Sequence, residues 1–157
     1  MSKKKLHLPE LSGVGIVVKD IEKAMEYYSK TFGIGPFRTV MFNPEKHWVD
    51  GKPFPVQLKL AFASLGGSVE LELLQPLSEG PHKDFLETHG EGLQHLGFNV
   101  DNYDEWMSYL KREGIGILYN AEGYIEGLGY VRAAYLDSGD EKPGNTLIEL
   151  SELKQEK

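Results

Sequence analysis

The chain has 157 residues, the size of one compact domain, with the apolar share (40%) and charged share (26%) of a globular protein. It contains no cysteine, which excludes disulfides, thiolate catalysis and cysteine-held zinc or iron–sulfur centres, so a metal would have to be bound by histidine, carboxylate or water. A net charge of -7 argues against nucleic acid as a partner, because affinity for a phosphate backbone rests on Lys and Arg.

No run approaches the ~20 apolar residues of a membrane helix. The basic start, Met1 to Lys5, is not followed by the apolar stretch of a secretory signal. The expectation is a cytoplasmic protein, with Lys3, Lys4 and Lys5 a solvated tail.

In chain order, Gly13 to Val18 reads as a strand. Asp20 is placed to cap a helix over Ile21 to Phe32, whose apolar residues Ile21, Ala24, Met25, Tyr28 and Phe32 recur at spacings of three and four. Gly33 stops it. Residues 37–42 look like a strand and residues 43–54, with Pro44, Gly51 and Pro53, like a polar loop. Residues 56–63 and 68–74 form strands around a Gly66-Gly67 hairpin signal. Pro76 to Gly92 is a linker carrying a short helix around His82 to Thr88. His95 to Val100 is the next strand. Asp101 or Asn102 caps a second helix, with Tyr103, Trp106, Met107 and Leu110 on its apolar face and Gly114 at its end. Residues 115–119, 130–136 and 146–151 complete the set as strands, with Pro143-Gly144 in the turn before the last.

The two series are copies of one plan. A shift of 82 (95 minus 13) brings Gly15 onto Gly97, Val18 onto Val100, Met25 onto Met107 and Tyr27 onto Tyr109. Each half reads βαβββ, module 1 about 11–77 and module 2 about 93–152, within a single domain over 1–157. Half a chain of this length buries too little apolar surface to stand alone, whereas two halves can share a core.

Strand alternation then picks out chemistry. His95, Gly97 and Asn99 share one face, and Leu96, Phe98 and Val100 the other. Glu72 and Glu149 occupy equivalent places on the closing strands of the two halves. A carboxylate among apolar strand residues is costly to bury unless paired or bound to a metal. Two such carboxylates, with a histidine on the opening strand of the second half, form a candidate site for a divalent ion such as zinc, cobalt, nickel, manganese or iron. Gln94 falls on the face opposite Gly97 and is left out of it. His47, His82 and His89 read as loop or helix-surface residues, although His47, beside Trp48 in the long loop, has the reach to fold over the site.

Ser12 to Asp20, Gly92 to Val100 and Leu147-Ile-Glu-Leu150 resemble the vicinal oxygen chelate superfamily of glyoxalases, bleomycin-resistance proteins and extradiol dioxygenases. The likeness covers roughly residues 11–152. Val69 to Leu77 and Gly90 to His95 are most similar to the methylmalonyl-CoA epimerases. The resemblance implies an α+β fold, two tandem βαβββ modules forming a curved, mostly antiparallel sheet around a metal-binding cleft. It implies Glu72, His95 and Glu149 as metal ligands, and Glu149 as a catalytic base as well. The family's usual fourth ligand, a histidine on the first strand, falls on Gly13. Gln57 and Lys59 fall on the strand that faces the cavity in this superfamily, which makes them substrate contacts. Gln57, however, cannot take the proton that a carboxylate near this place takes in the epimerases. Arg132, with Tyr130, is a further substrate contact on the penultimate strand, alternation leaving open which of the two points inward.

Two functions fit. One is a metal-dependent isomerase, epimerase or lyase working on a small carbonyl or acyl-thioester substrate through a stabilised enolate. The other is a non-catalytic binding or resistance protein, favoured by Gly13. A small molecule is the expected partner in either case. With both modules on one chain, a homodimer would be a matter of packing rather than of completing the site.

Overall fold

The computed structural model describes residues 4–137, 139, 143 and 145–154. Its elements are β1 (Gly13–Val17), α1 (Ile21–Phe32), β2 (Arg38–Phe42), β3 (Lys46–Val49), β4 (Lys52–Pro53), β5 (Leu58–Gly66), β6 (Val69–Pro76), α2 (Pro81–His89), β7 (Gly92–Asn99), α3 (Tyr103–Arg112), β8 (Gly116–Ile125), β9 (Gly129–Asp137) and β10 (Leu147–Lys154). All ten strands join one sheet in the order β2-β5-β6-β1-β7-β10-β9-β8-β3-β4. The first eight form two mirrored series, β2-β5-β6-β1 and β7-β10-β9-β8, meeting at the antiparallel β1/β7 pair. Only β1/β6 and β7/β10 run parallel. The fold is the expected α+β arrangement of two tandem βαβββ modules.

Local signals behave as expected at α1. The Asp20 carboxylate accepts from the Lys23 amide, and Gly33 closes the helix in the left-handed region. At α3 the cap position is Asn102, but its side chain reaches Glu105 instead of a backbone amide. The 43–54 segment departs from the expected loop. It forms the β3/β4 hairpin, and β3 pairs with β8, so a piece of the first module extends the sheet of the second. Strand β8 runs to Ile125, well past residue 119, because it stays paired with β9 as far as Ile125↔Gly129, and β3 covers its other side from Tyr119 to Glu122. Gly144, expected in the turn before the last strand, lies outside the described residues.

Three apolar clusters hold this together. Outside the curled sheet, α1 packs Ile21 and Met25 onto Ala61, Leu71 and Leu73. On the other half, Trp106 and Leu110 of α3 lie on Ala134, Leu136 and Leu150. The third cluster fills the inside of the curl with Phe42, Leu58, Leu60, Leu74, Tyr119, Val131 and Tyr135, and Phe85 and Leu86 of α2 join it. Period-2 alternation explains the division, with Leu58, Leu60 and Phe62 turned inward on β5 and Ala61 outward under α1.

The curl is also tied across its open side. Strand β2 lies at one edge of the sheet and β3 next to the opposite edge, yet only residues 43–45 connect them. That crossing rests directly on β8 at Gly123, where a Cβ would come within 2.6 Å of the Glu45 amide nitrogen, so only glycine fits. What remains inside is a cavity of about 150 Å³ with a mostly apolar lining.

Candidate metal centre

The centre lies where the two modules meet. Register places Gly15 opposite Glu72 on one side and opposite His95 on the other, and places Glu149 beside Gly97. Inward-facing side chains from β6, β7 and β10 thereby converge. His95 Nε2 stands 3.0 Å from Glu72 Oε1 and 3.7 Å from Glu149 Oε1. One ligand atom from each of the three residues lies within 4.8 Å of the others. His95 is buried, and the two carboxylates, 14% and 16% exposed, border the cavity.

Several neighbours fix this arrangement. The Ser151 hydroxyl donates to Glu149 Oε1 at 3.0 Å. The imidazole lies flat over Gly15, where a Cβ would sit 2.1 Å from His95 Cε1, so the ring can occupy this place only because position 15 has no side chain. Gln94 Oε1 accepts from His95 Nδ1 at 2.9 Å, which turns Nε2 to the carboxylates. Gln94 was expected on the opposite face. A β-bulge reverses that expectation, because pairing steps from Gly15↔His95 to Ile16↔Leu93 and leaves Gln94 as the extra residue, turned inward and buried.

Beneath the centre, the Tyr135 ring packs 5.1 Å from the His95 ring, and its hydroxyl bonds His82 Nε2 at 2.9 Å. His82 is therefore a core residue and not the helix-surface residue its sequence position implied: it is 1% exposed and points from α2 into the closed end of the curl. Burial, aided by the nearby His95, holds its pKa down to about 3, so it is neutral. His47 bonds the Tyr119 hydroxyl at 3.1 Å from β3, outside the three-residue cluster.

Charge is the main tension here. Burial pushes the Glu149 carboxyl up, the His95 cation pulls it back, and the negative Glu72 raises it again, for a balance of about 7. Burial pushes His95 down, but Glu149 and Glu72 outweigh it and leave the imidazole above its ordinary value. Two buried carboxylates and one imidazole are thus one positive charge short. A divalent cation would supply it, and the donor set of one nitrogen and two carboxylate oxygens suits a first-row metal.

Of the remaining expected residues, the structure brings none into the cavity. Gln57 is exposed, with its backbone amide on the Ser78 hydroxyl. Lys59 points outward to Glu22 of α1 at 2.6 Å. Arg132 faces α3, bonded to Asp104 and Glu152 and stacked over Tyr103, while Tyr130 on the same face is exposed; it is Val131 between them and Ala133 after them that line the cavity. The cationic side chain that does line it is Arg38 of β2. Its signal was readable, since it shares a strand face with Val40 and Phe42.

The family profile described as the glyoxalase/bleomycin resistance protein/dioxygenase superfamily matches residues 13–135. An uncharacterized protein of Bacillus subtilis, YqjC, is 28% identical over 109 residues, 69% of each chain. The mitochondrial methylmalonyl-CoA epimerase of Bos taurus is 30% identical over 117 residues, 71% of this chain but only 58% of that enzyme's length. The crystal structure of methylmalonyl-CoA epimerase from Mycobacterium tuberculosis superposes with a TM-score of 0.66 at 25% identity, covering 98% of this chain and 93% of that one. On the match over most of its length, and with the mirrored modules just described, the chain belongs to the glyoxalase/bleomycin resistance protein/dioxygenase superfamily.

Proposed function

We propose that this protein is a divalent-metal-dependent isomerase or epimerase, of the kind that moves a proton on the carbon beside a carbonyl. The single observation carrying this reading is the Glu72–His95–Glu149 cluster bordering the mostly apolar cavity inside the curl, with Nε2 aimed by Gln94. Glu72, His95 and Glu149 would hold the ion. When bound, it would supply a Lewis acid next to the substrate's carbonyl oxygen.

The chain's own residues would do the rest. Glu149, whose Oε1 lies beside His95 at the border of the cavity, is the carboxylate placed to accept a proton from the substrate carbon and to return it. Returned to the neighbouring carbon, the proton isomerises the substrate; inverting the centre would take a second proton donor on the opposite face of the bound substrate. Ser151 holds the Glu149 carboxylate in place during both transfers. Phe42, Leu58, Leu60 and Leu74 exclude water around the reacting carbon. The epimerase likeness supports an acyl-thioester or related small carbonyl compound as the substrate class.

The test has two parts. Protein loaded with excess zinc, cobalt or manganese and then desalted should keep about one ion per chain, and Glu149→Gln or His95→Ala should keep far less. Loaded protein should also exchange the α-proton of small carbonyl and acyl-thioester compounds for deuterium, read by proton NMR in D2O. Retention of no metal by the wild type would refute the reading.

A second reading is favoured by one specific position. Gly13, which lines the cavity, offers no ligand where the family commonly has histidine. A ligand-sequestering protein would bind its small molecule with Glu149→Gln as tightly as without it, and would exchange no deuterium.

A further inference from the structure

We infer that the molecule bound in the cavity is a small organic anion, whose carboxylate docks on Arg38 while an oxygen on its other end faces Glu72, His95 and Glu149. The second half of this statement rests on the function proposed above; the first half stands on Arg38 alone.

The sheet itself sets out the geometry. Arg38 is directly opposite Phe62, Phe62 opposite Glu72, Glu72 opposite Gly15, and Gly15 opposite His95. Residues directly opposed across strands share a face, so all five positions look into the curl. Arg38 is two strands from Glu72, about 10 Å at the usual strand spacing. Phe62 fills the interval, and the Arg38 guanidinium lies over its ring at 5.2 Å.

Arg38 of β2 and Arg132 of β9 both lie on strands of the sheet, and they differ in what their donors do. Arg132 is committed: four of its five N–H donors bond Asp104 and Glu152, and its head stacks over Tyr103 of α3. Arg38 has one carboxylate near it, Glu70, at 3.6 Å. That exceeds the roughly 2.7–2.9 Å of a charge-assisted hydrogen bond. Arg38 is 54% exposed on the side-chain measure, and it is the one lysine or arginine lining the cavity among the described residues. A planar fork of donors with its bonding capacity open, at the edge of an apolar cavity, matches a planar carboxylate bidentately.

Size and polarity define the rest of the ligand. A cavity of about 150 Å³ equals an engineered apolar cavity that takes up one benzene ring. Apart from Arg38, its neighbour Glu70 and the acidic cluster, the lining among the described residues carries no lysine, arginine, aspartate, glutamate or histidine, and Phe62, Leu60, Val131 and Leu128 belong to it. The bound portion is therefore a carboxylate, an apolar body no larger than one ring or a short branched chain, and an oxygen donor. A nucleotide-bearing carrier such as coenzyme A would have to lie outside. Glu70 neutralises Arg38 in the meantime and is displaced as the anion enters.

Isothermal titration calorimetry on zinc-loaded protein tests this, with a fixed panel of matched probes: phenylpyruvate, 2-oxoisovalerate, mandelate and methylmalonate half-thioester of pantetheine, each beside the neutral amide of the same acid. We expect at least one acid to bind tenfold or more tightly than its amide. Arg38→Met should remove that preference, Arg38→Lys should keep part of it, and Glu70→Gln should strengthen it several-fold. Arg38 and Glu70 are exposed enough for these variants to fold, which their circular dichroism and melting curves would verify. If no acid in the panel outbinds its amide, or if the preference survives Arg38→Met, the inference is overturned. Failure of the metal reading looks different: the protein keeps no zinc, yet the acid preference and its dependence on Arg38 remain.

Discussion

Strands β1 and β7 are the same strand twice, related by the module repeat and paired with each other at the centre of the sheet. Chemically they have diverged. On β7, His95 projects over Gly15 of β1 and reaches both carboxylates. On β1 the equivalent position is Gly13, which faces Gly97 and projects nothing. The scaffold is therefore symmetric while its donors are not. The difference shows that His95 can take its place because a glycine stands opposite it, and that Gly13, which carries no donor, has a glycine opposite it as well.

The sharpest way to break the comparison is to fill the two receiving glycines in turn. A Cβ at position 15 would stand 2.1 Å from the His95 ring, and that ring cannot retreat, being held by Gln94, Glu72 and Tyr135. Gly15→Ala should cost about 3 kcal/mol of stability in urea denaturation and abolish metal retention. A Cβ at position 97 comes nearest to Glu149 Oε1 at 3.3 Å, a distance a carboxylate can relieve by a few tenths of an ångström, and meets the Gly13 carbonyl and His95 Cδ2 at ordinary contact distances of 3.7 and 3.8 Å. Gly97→Ala should cost less than about 1 kcal/mol. Equal effects of the two would show that the strands are not specialised in this way.

The next test uses protons. Glu149 is raised from 4.5 to about 7 in the fold, so the folded state binds a proton that the unfolded state releases. The contribution of Glu149 to the stability of metal-free protein is then complete below about 4.5 and falls as pH rises towards 7, whereas that of the neutral His82 runs the other way and is lost as pH falls below 6.5. His95, also raised, acts in the same direction: its contribution is complete below 6.5 and is lost as pH passes its folded value. A bound divalent ion needs these groups deprotonated, so metal affinity should rise over the same interval. Between pH 5 and pH 8 the melting temperature of the metal-free wild type should fall relative to that of metal-free Glu149→Gln, which keeps the opposing His82 contribution, and zinc should reverse that difference. A metal-free wild type that tracks Glu149→Gln across this interval would contradict the burial of this charge cluster.

How much of this was legible beforehand depends on whether the information was local. The two helices, their caps and the repeat follow from short-range spacing, and Glu72, His95 and Glu149 follow from the repeat, as does the vacancy at Gly13. Gln94 was misplaced because a bulge belongs to a pair of strands, and the register step opposite Ile16 leaves no mark in β7 alone. His82 was read as a surface residue because a helix of nine residues says little about which face is covered; the covering groups, Tyr119 and Tyr135, are far along the chain. Lys59 was read inward although Leu58 and Leu60 on either side belong to the interior cluster, a case where alternation should have overruled the resemblance.

Restoring the symmetry is the third test. Gly13 lines the cavity, and a Cβ there meets only the Glu70 carbonyl at 3.4 Å, so a larger residue can be carried at modest cost. By the module repeat, a histidine there would lie over Gly97 as His95 lies over Gly15. Gly13→His should add a fourth donor and raise zinc affinity by on the order of tenfold or more, measured by competition with a chelator. Unchanged affinity would mean that the three existing residues do not hold the ion at the repeat-related centre.

The smallest effect is expected at Lys59, and it separates the two faces of the sheet. Its ammonium group meets Glu22 on the outside of β5, with side chains 32% and 66% exposed. Exposed pairs of this kind contribute from about 0.2 to 1 kcal/mol. Lys59→Met should therefore shift stability within that range and leave metal retention and binding of carboxylate probes as in the wild type. Arg38→Met, on the inner face two strand positions from Glu72, should do the reverse, sparing stability and losing the anion. The pair measured side by side asks whether charge acts in this protein by its place in the pleat. A loss of anion binding with Lys59→Met would mean that the substrate reaches around β5, and that the inner face of the curl is not where it is recognised.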